Sequence, residues 1–421
     1  MKWNELIMNE QNYIRYRKLK AFGNKLCFKI FRIFPIKKKR ISICTFEGKG
    51  GFGCNPKYIV EELHRRDKDY EFIWFVNDLN KEFPSYIKKV PNSLWSRAYW
   101  LSTSKIWIDN YRKPFGTCKR KKQYYINTWH ATIGFKSIGL WREGGFSQMA
   151  YLVSKNDSDM IDAIVIDSEW CAEMYPKGMI YNGNFLRTGA PRCDVLYGSR
   201  EKYKRSFCQR YKIGENIKLA MFAPTFREGS VNGKRTIFSE IWTLDFKRLL
   251  DNLQRRFGGE WYLCLKIHPQ LVSGIKEFKD EHLKERLIDV SQVDDMYEVL
   301  PAMDAFFTDY SSAAMDAGYA HMPVFIYADD IEKYLNDRGS MLWNMSSDSY
   351  KPVTNNKNMT PYIDTILPYP IAQNNDELED NILLFDENKY NSMLDKFEKD
   401  VQLVFDGKAS AKVADQLETY M

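Results

Sequence analysis

Twice along this chain an apolar run ends in a turn, passes into a helical pattern and returns as another apolar run. That alternation confines the fold to helices wrapped around parallel sheets. In the first instance Arg40-Ile-Ser-Ile-Cys-Thr-Phe46 reads as a buried strand and Glu47-Gly-Lys-Gly-Gly-Phe-Gly53 as a glycine-rich turn. Asn55-Pro56 then opens a helical pattern over Lys57–Arg66, and Tyr70–Val76 is the next strand; Lys105–Asp109, Tyr124–Thr128 and Ala163–Asp167 continue the series. A second series begins at Lys218–Phe222 and runs through Tyr262–Lys266, Leu287–Asp289, Ala305–Thr308 and Val324–Ile326, with helical patterns such as Leu244–Arg256 between them. The prediction is an α/β chain of two doubly wound parallel-sheet domains facing a cleft, with loops projecting from the carboxyl ends of the strands.

At 421 residues the chain is long enough for two such domains plus extensions. The expected organisation is a basic arm over 1–40, a first α/β domain over 41–212, a second over 213–385 and a helical tail over 386–421. The net charge of +7 is concentrated in the arm: from Asn12 to Arg40 there are eleven Lys and Arg residues and no acidic one, interleaved with Tyr13, Leu19, Phe22, Leu26, Phe31 and Phe34. A helix there carries cations on one side and apolar groups on the other, which suits the headgroup layer of an anionic membrane. The alternative is that its apolar side packs on the first domain. The run Leu26–Ile36 is interrupted by Lys29 and Arg32, is too short to cross a bilayer and is followed by no cleavage site, so neither a spanning helix nor a signal peptide is expected. No nucleic-acid module accompanies the basic run, and no nucleic-acid partner is expected. The eight cysteines are scattered without closely spaced pairs and there are only five histidines, which reads as reduced thiols of a cytoplasmic protein without a metal centre.

Several polar residues fall where strands end. His130 follows the strand Tyr124–Thr128; an imidazole there can accept the proton of an attacking hydroxyl. In Leu265-Lys-Ile-His268-Pro269, Lys266 and His268 project to one side at another strand end, where the histidine can donate to a phosphate oxygen. Thr308-Asp309-Tyr310-Ser311-Ser312 leads from a strand into the helical run Ala313–Ala320, so hydroxyls and helix-start amides together suit an anion. Arg227, after Ala223-Pro-Thr-Phe, and Arg338 are candidates to clamp a phosphate. Each feature also has a purely structural explanation: a histidine packed on Trp129, a turn histidine, a helix cap, a surface arginine.

The order of these motifs resembles the CDP-glycerol glycerophosphotransferase family, the teichoic-acid primases and polymerases and their capsule-pathway relatives. The resemblance runs from about Ile41 to Gly339 and rests on Asn55-Pro-Lys57, Thr128-Trp-His130, Thr188-Gly-Ala-Pro-Arg-Cys-Asp194, Ala223-Pro-Thr-Phe-Arg227, His268-Pro269 and Thr308-Asp-Tyr-Ser-Ser312. It implies a GT-B-like fold in which the second domain holds the donor. It implies His130 as the catalytic base and His268, Arg227, Thr308, Ser311 and Ser312 as donor-phosphate ligands, His268 being counted with the catalytic residues. Asp309, Arg338, Asn55 and Lys266 are added as substrate-binding candidates from their own positions. The implied reaction passes glycerol phosphate or ribitol phosphate from CDP-glycerol or CDP-ribitol to a polymer or lipid-linked glycan, releasing CMP, on the inner face of the cell membrane. No cofactor is required; a divalent cation is compatible with the diphosphate, although no carboxylate cluster demands one. The chain departs from the family pattern in having Ala131 after the histidine, where glycine is usual, and Ile133-Gly134 where a proline follows. Two other functions fit the residues: a CMP- or UDP-sugar transferase of capsule synthesis, and a membrane-surface scaffold without turnover.

Overall fold

The computed structural model describes residues 10–142, 146–225, 227–231, 234–238, 243–267, 280–338, 341–343, 345 and 365–421. In the first half, helix α1 (Glu10–Ile30) precedes strand β1 (Lys37–Cys44), helix α2 (Cys54–Arg65), β2 (Glu71–Val76), β3 (Ile87–Pro91), α3 (Leu94–Thr103), β4 (Ser104–Asp109) and β5 (Tyr124–Asn127). Then come α4 (Gln148–Ser158), β6 (Ala163–Ile166), α5 (Glu169–Tyr175) and β7 (Asn184–Arg187). The seven strands form one all-parallel sheet in the order β3-β2-β1-β4-β5-β6-β7. The central strands are apolar and buried on both faces, as parallel sheets covered by helices must be: every residue of β5 and β6 is buried.

The second half begins with α6 (Glu201–Tyr211), followed by β8 (Lys218–Phe222), the antiparallel pair β9 (Arg227–Val231) and β10 (Lys234–Phe238), α7 (Phe246–Phe257), β11 (Trp261–Leu265), α8 (Glu281–Glu285) and β12 (Leu287–Asp289). It continues with β13 (Ala305–Thr308), α9 (Ala313–Tyr319), β14 (Val324–Tyr327), α10 (Ile331–Arg338), β15 (Ile371–Ala372), α11 (Asn375–Leu383), α12 (Glu387–Val401) and α13 (Ala409–Glu418). Its sheet is also parallel, in the order β12-β11-β8-β13-β14-β15. In each sheet the strand order reverses at one place, between β1 and β4 in the first and between β8 and β13 in the second. Loops diverge at such a reversal and leave a crevice at the carboxyl ends of the strands.

Three boundaries differ from those expected. The basic residues 37–40 belong to β1, where Arg40 is 2% exposed and forks onto Glu71 at 2.8 and 3.1 Å. The arm therefore packs on the first domain: Ile14, Ala21 and Phe28, seven residues apart, are its buried face. Helix α6 belongs with the second domain, since Lys204 pairs with Asp304 at 2.6 Å and Arg200 donates to the Met303 carbonyl at 3.1 Å; the division falls before this helix and not at 212. The tail is shared. Tyr390 of α12 bonds the second domain at the Met322 carbonyl and the Val324 amide. Val413, Ala414 and Leu417 of α13 join Ile59, Val60 and Leu63 of α2 in the core over Ile41, Ile43 and Trp74 of the first domain. The two crossings between domains run side by side, with Tyr197 of one edge-on to Phe405 of the other at 5.4 Å.

Candidate functional site

His130 stands where β5 ends. Thr128 bonds the Asp109 carbonyl at 2.8 Å, and Asn127 Oδ1 accepts the Trp129 amide at 2.8 Å, turning the chain so that Trp129 takes the left-handed backbone at φ 47°. Phe46, Glu47 and Cys54 around the glycine turn do the same, so four left-handed non-glycine residues gather round one loop cluster, as uncommon backbone does at many functional sites. The imidazole packs against both Tyr111 and Trp129, with ring centroids at 5.5 and 4.3 Å, and Phe46 is tilted against it at 5.3 Å. Nδ1 is 2.8 Å from the Asn110 carbonyl oxygen. A carbonyl only accepts, so Nδ1 carries the proton and Nε2 is left as the acceptor. Burial, and then the charges of Arg192, Arg112 and Lys136, push the imidazole down to about 4, against the pull of the Asn110 bond. It is neutral at neutral pH.

The loop that supplies Asn110 is built from buried charge. Lys113 pairs with Asp109, both 3% exposed, and Asp157 accepts the Lys113 amide at 3.1 Å. Asn110 also accepts the Phe46 amide at 2.8 Å, which ties the loops after β1 and β4 together at the crevice.

Across the cleft, the loops after β8 and β13 are knitted in the same way. Thr308 Oγ1 donates to the Ala223 carbonyl at 2.7 Å, and Asp309 accepts the Thr225 amide at 2.8 Å. Ser311 and Ser312 are carried forward to the start of α9, and the Ser312 side chain makes no capping bond there.

Two chambers meet at these residues. One, of about 450 Å³, is the more polar of the two and is lined by Lys49, Gly50, Gly51, Arg192, Asp294 and Asp295 among others. The other, of about 380 Å³, is walled by Trp129, Phe135, Ile138, Trp170, Tyr175 and Tyr310, with Lys136 and Thr225 as its polar points. His130, Ser311 and Ser312 line both. The geometry sets one neutral base and two hydroxyls at the junction of a polar and an aromatic compartment.

The domains are joined beside the polar chamber by the ion pairs of a buried lysine. Lys57, 6% exposed, reaches Asp295 at 3.2 Å and Glu298 at 2.7 Å, and the Tyr58 hydroxyl donates to Asp295 at 2.8 Å. The glycine turn lies flat against this contact: a Cβ on Gly51 would overlap the Asp294 carboxylate.

Residues 26–419 match the model of the CDP-glycerol:poly(glycerophosphate) glycerophosphotransferase family. The chain belongs to that family. Among its relatives, the teichoic acid poly(ribitol-phosphate) polymerase of Bacillus spizizenii is 28% identical over 95% of this chain, which spans 60% of that protein. A poly(glycerol phosphate) polymerase of the same organism is 27% identical over 78% of the chain and 83% of its own length. The teichoic acid glycerol-phosphate transferase of Staphylococcus aureus is 26% identical over 92% of the chain and 94% of its length. The fold matches a solved variant of the wall teichoic acid polymerase TagF, soaked with CDPG, at a TM-score of 0.74, with 23% identity, covering 96% of this chain and 97% of that one. The two facing parallel sheets are thus a GT-B-like arrangement.

For this member of the family, the candidate residues divide into those at the chambers and those behind them. His130, Ser311 and Ser312 line the cleft. Asn55, 1% exposed, lines neither chamber: it donates to the Thr128 and Trp129 carbonyls at 3.1 and 3.2 Å and accepts the Arg192 amide at 3.0 Å. It positions the His130 turn, and both ends of its amide bond backbone where a substrate ligand was expected. Thr308 and Asp309 likewise bond loop backbone, and Lys266 donates to the Ser291 and Val293 carbonyls, supporting the Asp294–Asp295 turn from behind. Arg227 opens β9 and Arg338 closes α10 in backbone; their side chains, like His268, lie outside the described residues. The departing loop after His130 forms a wall of the aromatic chamber, fastened by the Tyr175 hydroxyl to the Ala131 carbonyl at 2.7 Å. Sequence reasoning missed the roles of Asn110, whose backbone carbonyl accepts from His130 and whose Oδ1 accepts the Phe46 amide of a loop distant in the chain, and of Arg192, which stood inside a recognised motif without an assigned task. Among the described residues one grouping of histidine and carboxylates, His321, Asp395 and Glu398, is arranged closely enough for a metal, and it lines neither chamber.

Proposed function

We propose that this chain transfers a polyol phosphate, glycerol phosphate or ribitol phosphate, from its CDP-linked donor to a hydroxyl of a teichoic-acid or related envelope polymer or lipid-linked glycan, releasing CMP. The observation that carries the reading is His130, held as the Nδ1–H tautomer by the Asn110 carbonyl and lining both chambers. Nε2 accepts the proton of the acceptor hydroxyl as its oxygen attacks the phosphorus that bears the polyol. The bond from that phosphorus to the bridging oxygen breaks, and CMP leaves with the electron pair on its phosphate. Ser311 and Ser312 supply hydroxyls, and Lys49 and Lys136 supply positive charge, beside the group in flight.

The acceptor is reached at a membrane surface. Among the described residues no helix is long and apolar enough to cross a membrane. On α1, however, Leu19, Phe22, Leu26 and Ile30 recur at spacings of three and four and are all exposed, Leu19 by 72%. Arg15, Lys18, Lys25 and Lys29 stand among them on the same helix. An apolar stripe edged by cations supports seating on the anionic headgroups of the cytoplasmic leaflet.

The test is CMP release from CDP-glycerol and from CDP-ribitol, each with a lipid-linked acceptor extract, by the native chain and by His130→Ala. Release by the native chain, reduced at least about a hundredfold in the variant, is expected. No release from either donor would overturn the reading in favour of a nucleotide-sugar substrate.

A further inference from the structure

The polar chamber holds a buried cation whose hydrogen-bonding capacity is not used up. Arg192, 1% exposed, comes from the turn after β7 in the first domain. Its Nε and Nη2 both donate to a single oxygen, Asp316 Oδ2 on α9 of the second domain, at 2.9 and 2.7 Å. The Tyr297 hydroxyl donates to the same oxygen, and the guanidinium lies over the Tyr297 ring at 5.3 Å. Nη1 is buried and has no partner among the described residues. A buried guanidinium nitrogen without an acceptor forfeits the water it gave up, and native interiors rarely leave one so. Arg192 lines the 450 Å³ chamber together with Lys49, His130, Ser311 and Ser312. The two carboxylates on the chamber wall are engaged elsewhere, Asp295 with Lys57 at 3.2 Å and Asp294 with Lys81 at 2.5 Å.

We propose that Arg192 is a phosphate ligand of the polar chamber, presenting Nη1 to a substrate phosphate oxygen while Asp316 of the opposite domain holds the rest of its guanidinium. A planar guanidinium with one edge fixed and one nitrogen open is matched to a phosphate oxygen in a way that an ammonium is not. Because the arginine comes from one domain and its seat from the other, the anion is bound fully only when the two domains are together. That the anion is a phosphate of the transfer reaction rests on the function proposed above. Two sources share the chemistry, the diphosphate of the donor and the polyol-phosphate end of the acceptor.

Calorimetric titration of the full chain with CDP, with cytidine and with glycerol 3-phosphate separates these cases without requiring turnover. Arg192→Lys, which keeps the charge and loses the fork, is expected to weaken CDP or glycerol 3-phosphate roughly tenfold or more while leaving cytidine unchanged. Loss confined to CDP identifies the donor diphosphate, and loss confined to glycerol 3-phosphate the acceptor. Asp316→Asn retains the arginine and is expected to bind phosphate far better than Arg192→Lys. Unchanged phosphate affinity in Arg192→Lys, an equal loss of CDP and cytidine, or an equal loss in the two variants overturns the proposal, the last two by showing the pair to be a structural tie. If native protein bound CDP in this arginine-dependent way yet released no CMP from any donor, the proposed reaction would fail and the anion site would stand.

Discussion

The proton inventory of His130 follows from one carbonyl. With Nδ1 committed to Asn110 and the ring pushed down to about 4, the base is ready throughout the neutral range. We therefore expect kcat/KM for the donor to hold level from about pH 6 to 8 and to fall only as the pH approaches the free enzyme's imidazole value. A pH–rate profile checks this, and an acid limb centred near the ordinary histidine value of about 6.5 would contradict it. The same shift bears on stability. Between about 6.5 and 4 the unfolded ring takes up a proton that the folded ring refuses, so the contribution is present above that window and is lost as pH falls through it. His130 was legible in the sequence because a histidine following an apolar strand projects from a sheet end. Its tautomer was not, since the partner is a backbone oxygen from a different loop. Asn55, Thr308, Asp309 and Lys266 were legible as polar residues at strand or helix ends, but whether such a residue faces ligand or holds backbone is decided by neighbours distant in the chain. All four side chains bond loop carbonyls or amides.

At the scale of elements, the central strands were plain because burial on both faces makes them continuous apolar runs, and β1, β2, β4 to β6, β8 and β11 to β14 fell close to their expected places. The edges were not. In β3 only Ile87 and Val90 are buried and its exposed positions hold Lys88 and Pro91, while β7 has no buried residue, so neither announces itself by hydrophobicity. The first helix carried two readings, membrane contact or packing on the domain; the structure shows the packing, with Ile14, Ala21 and Phe28 turned inward, and leaves Leu19, Phe22, Leu26 and Ile30 exposed for the contact proposed above. Replacing Leu19 and Phe22 together by Glu is expected to leave the thermal midpoint within a degree or two, since surface changes typically cost under about 0.5 kcal/mol. Co-sedimentation with anionic phospholipid vesicles is expected to drop about tenfold or more. Undiminished sedimentation would mean that this stripe is not the membrane contact.

On the whole molecule, sequence periodicity gave two sheets and their order in the chain, but not which domain each connecting helix would join, because amphipathic helices such as α6 and α12 advertise an apolar face without naming its partner. The last helix makes the point: α13 returns across the second domain to complete the core of the first. Leu417, fully buried there beside Leu63 and Val413, is expected on truncation to Ala to destabilise the first domain by about 3 kcal/mol, read by urea unfolding, in the range of fully buried leucines elsewhere. A loss under about 0.5 kcal/mol, the level of a surface position, would mean that this helix is dispensable to the core.

Both crossings between the domains pass one spot, where Tyr197 meets Phe405, and the amide of Val404 bonds the Asp167 carbonyl close by. Two strands of chain laid together act as the spine of a book. The two leaves are clasped along their facing edge by Lys57 with Asp295 and by Arg192 with Asp316, so the serines of one leaf and the histidine of the other share the gutter that this spine defines.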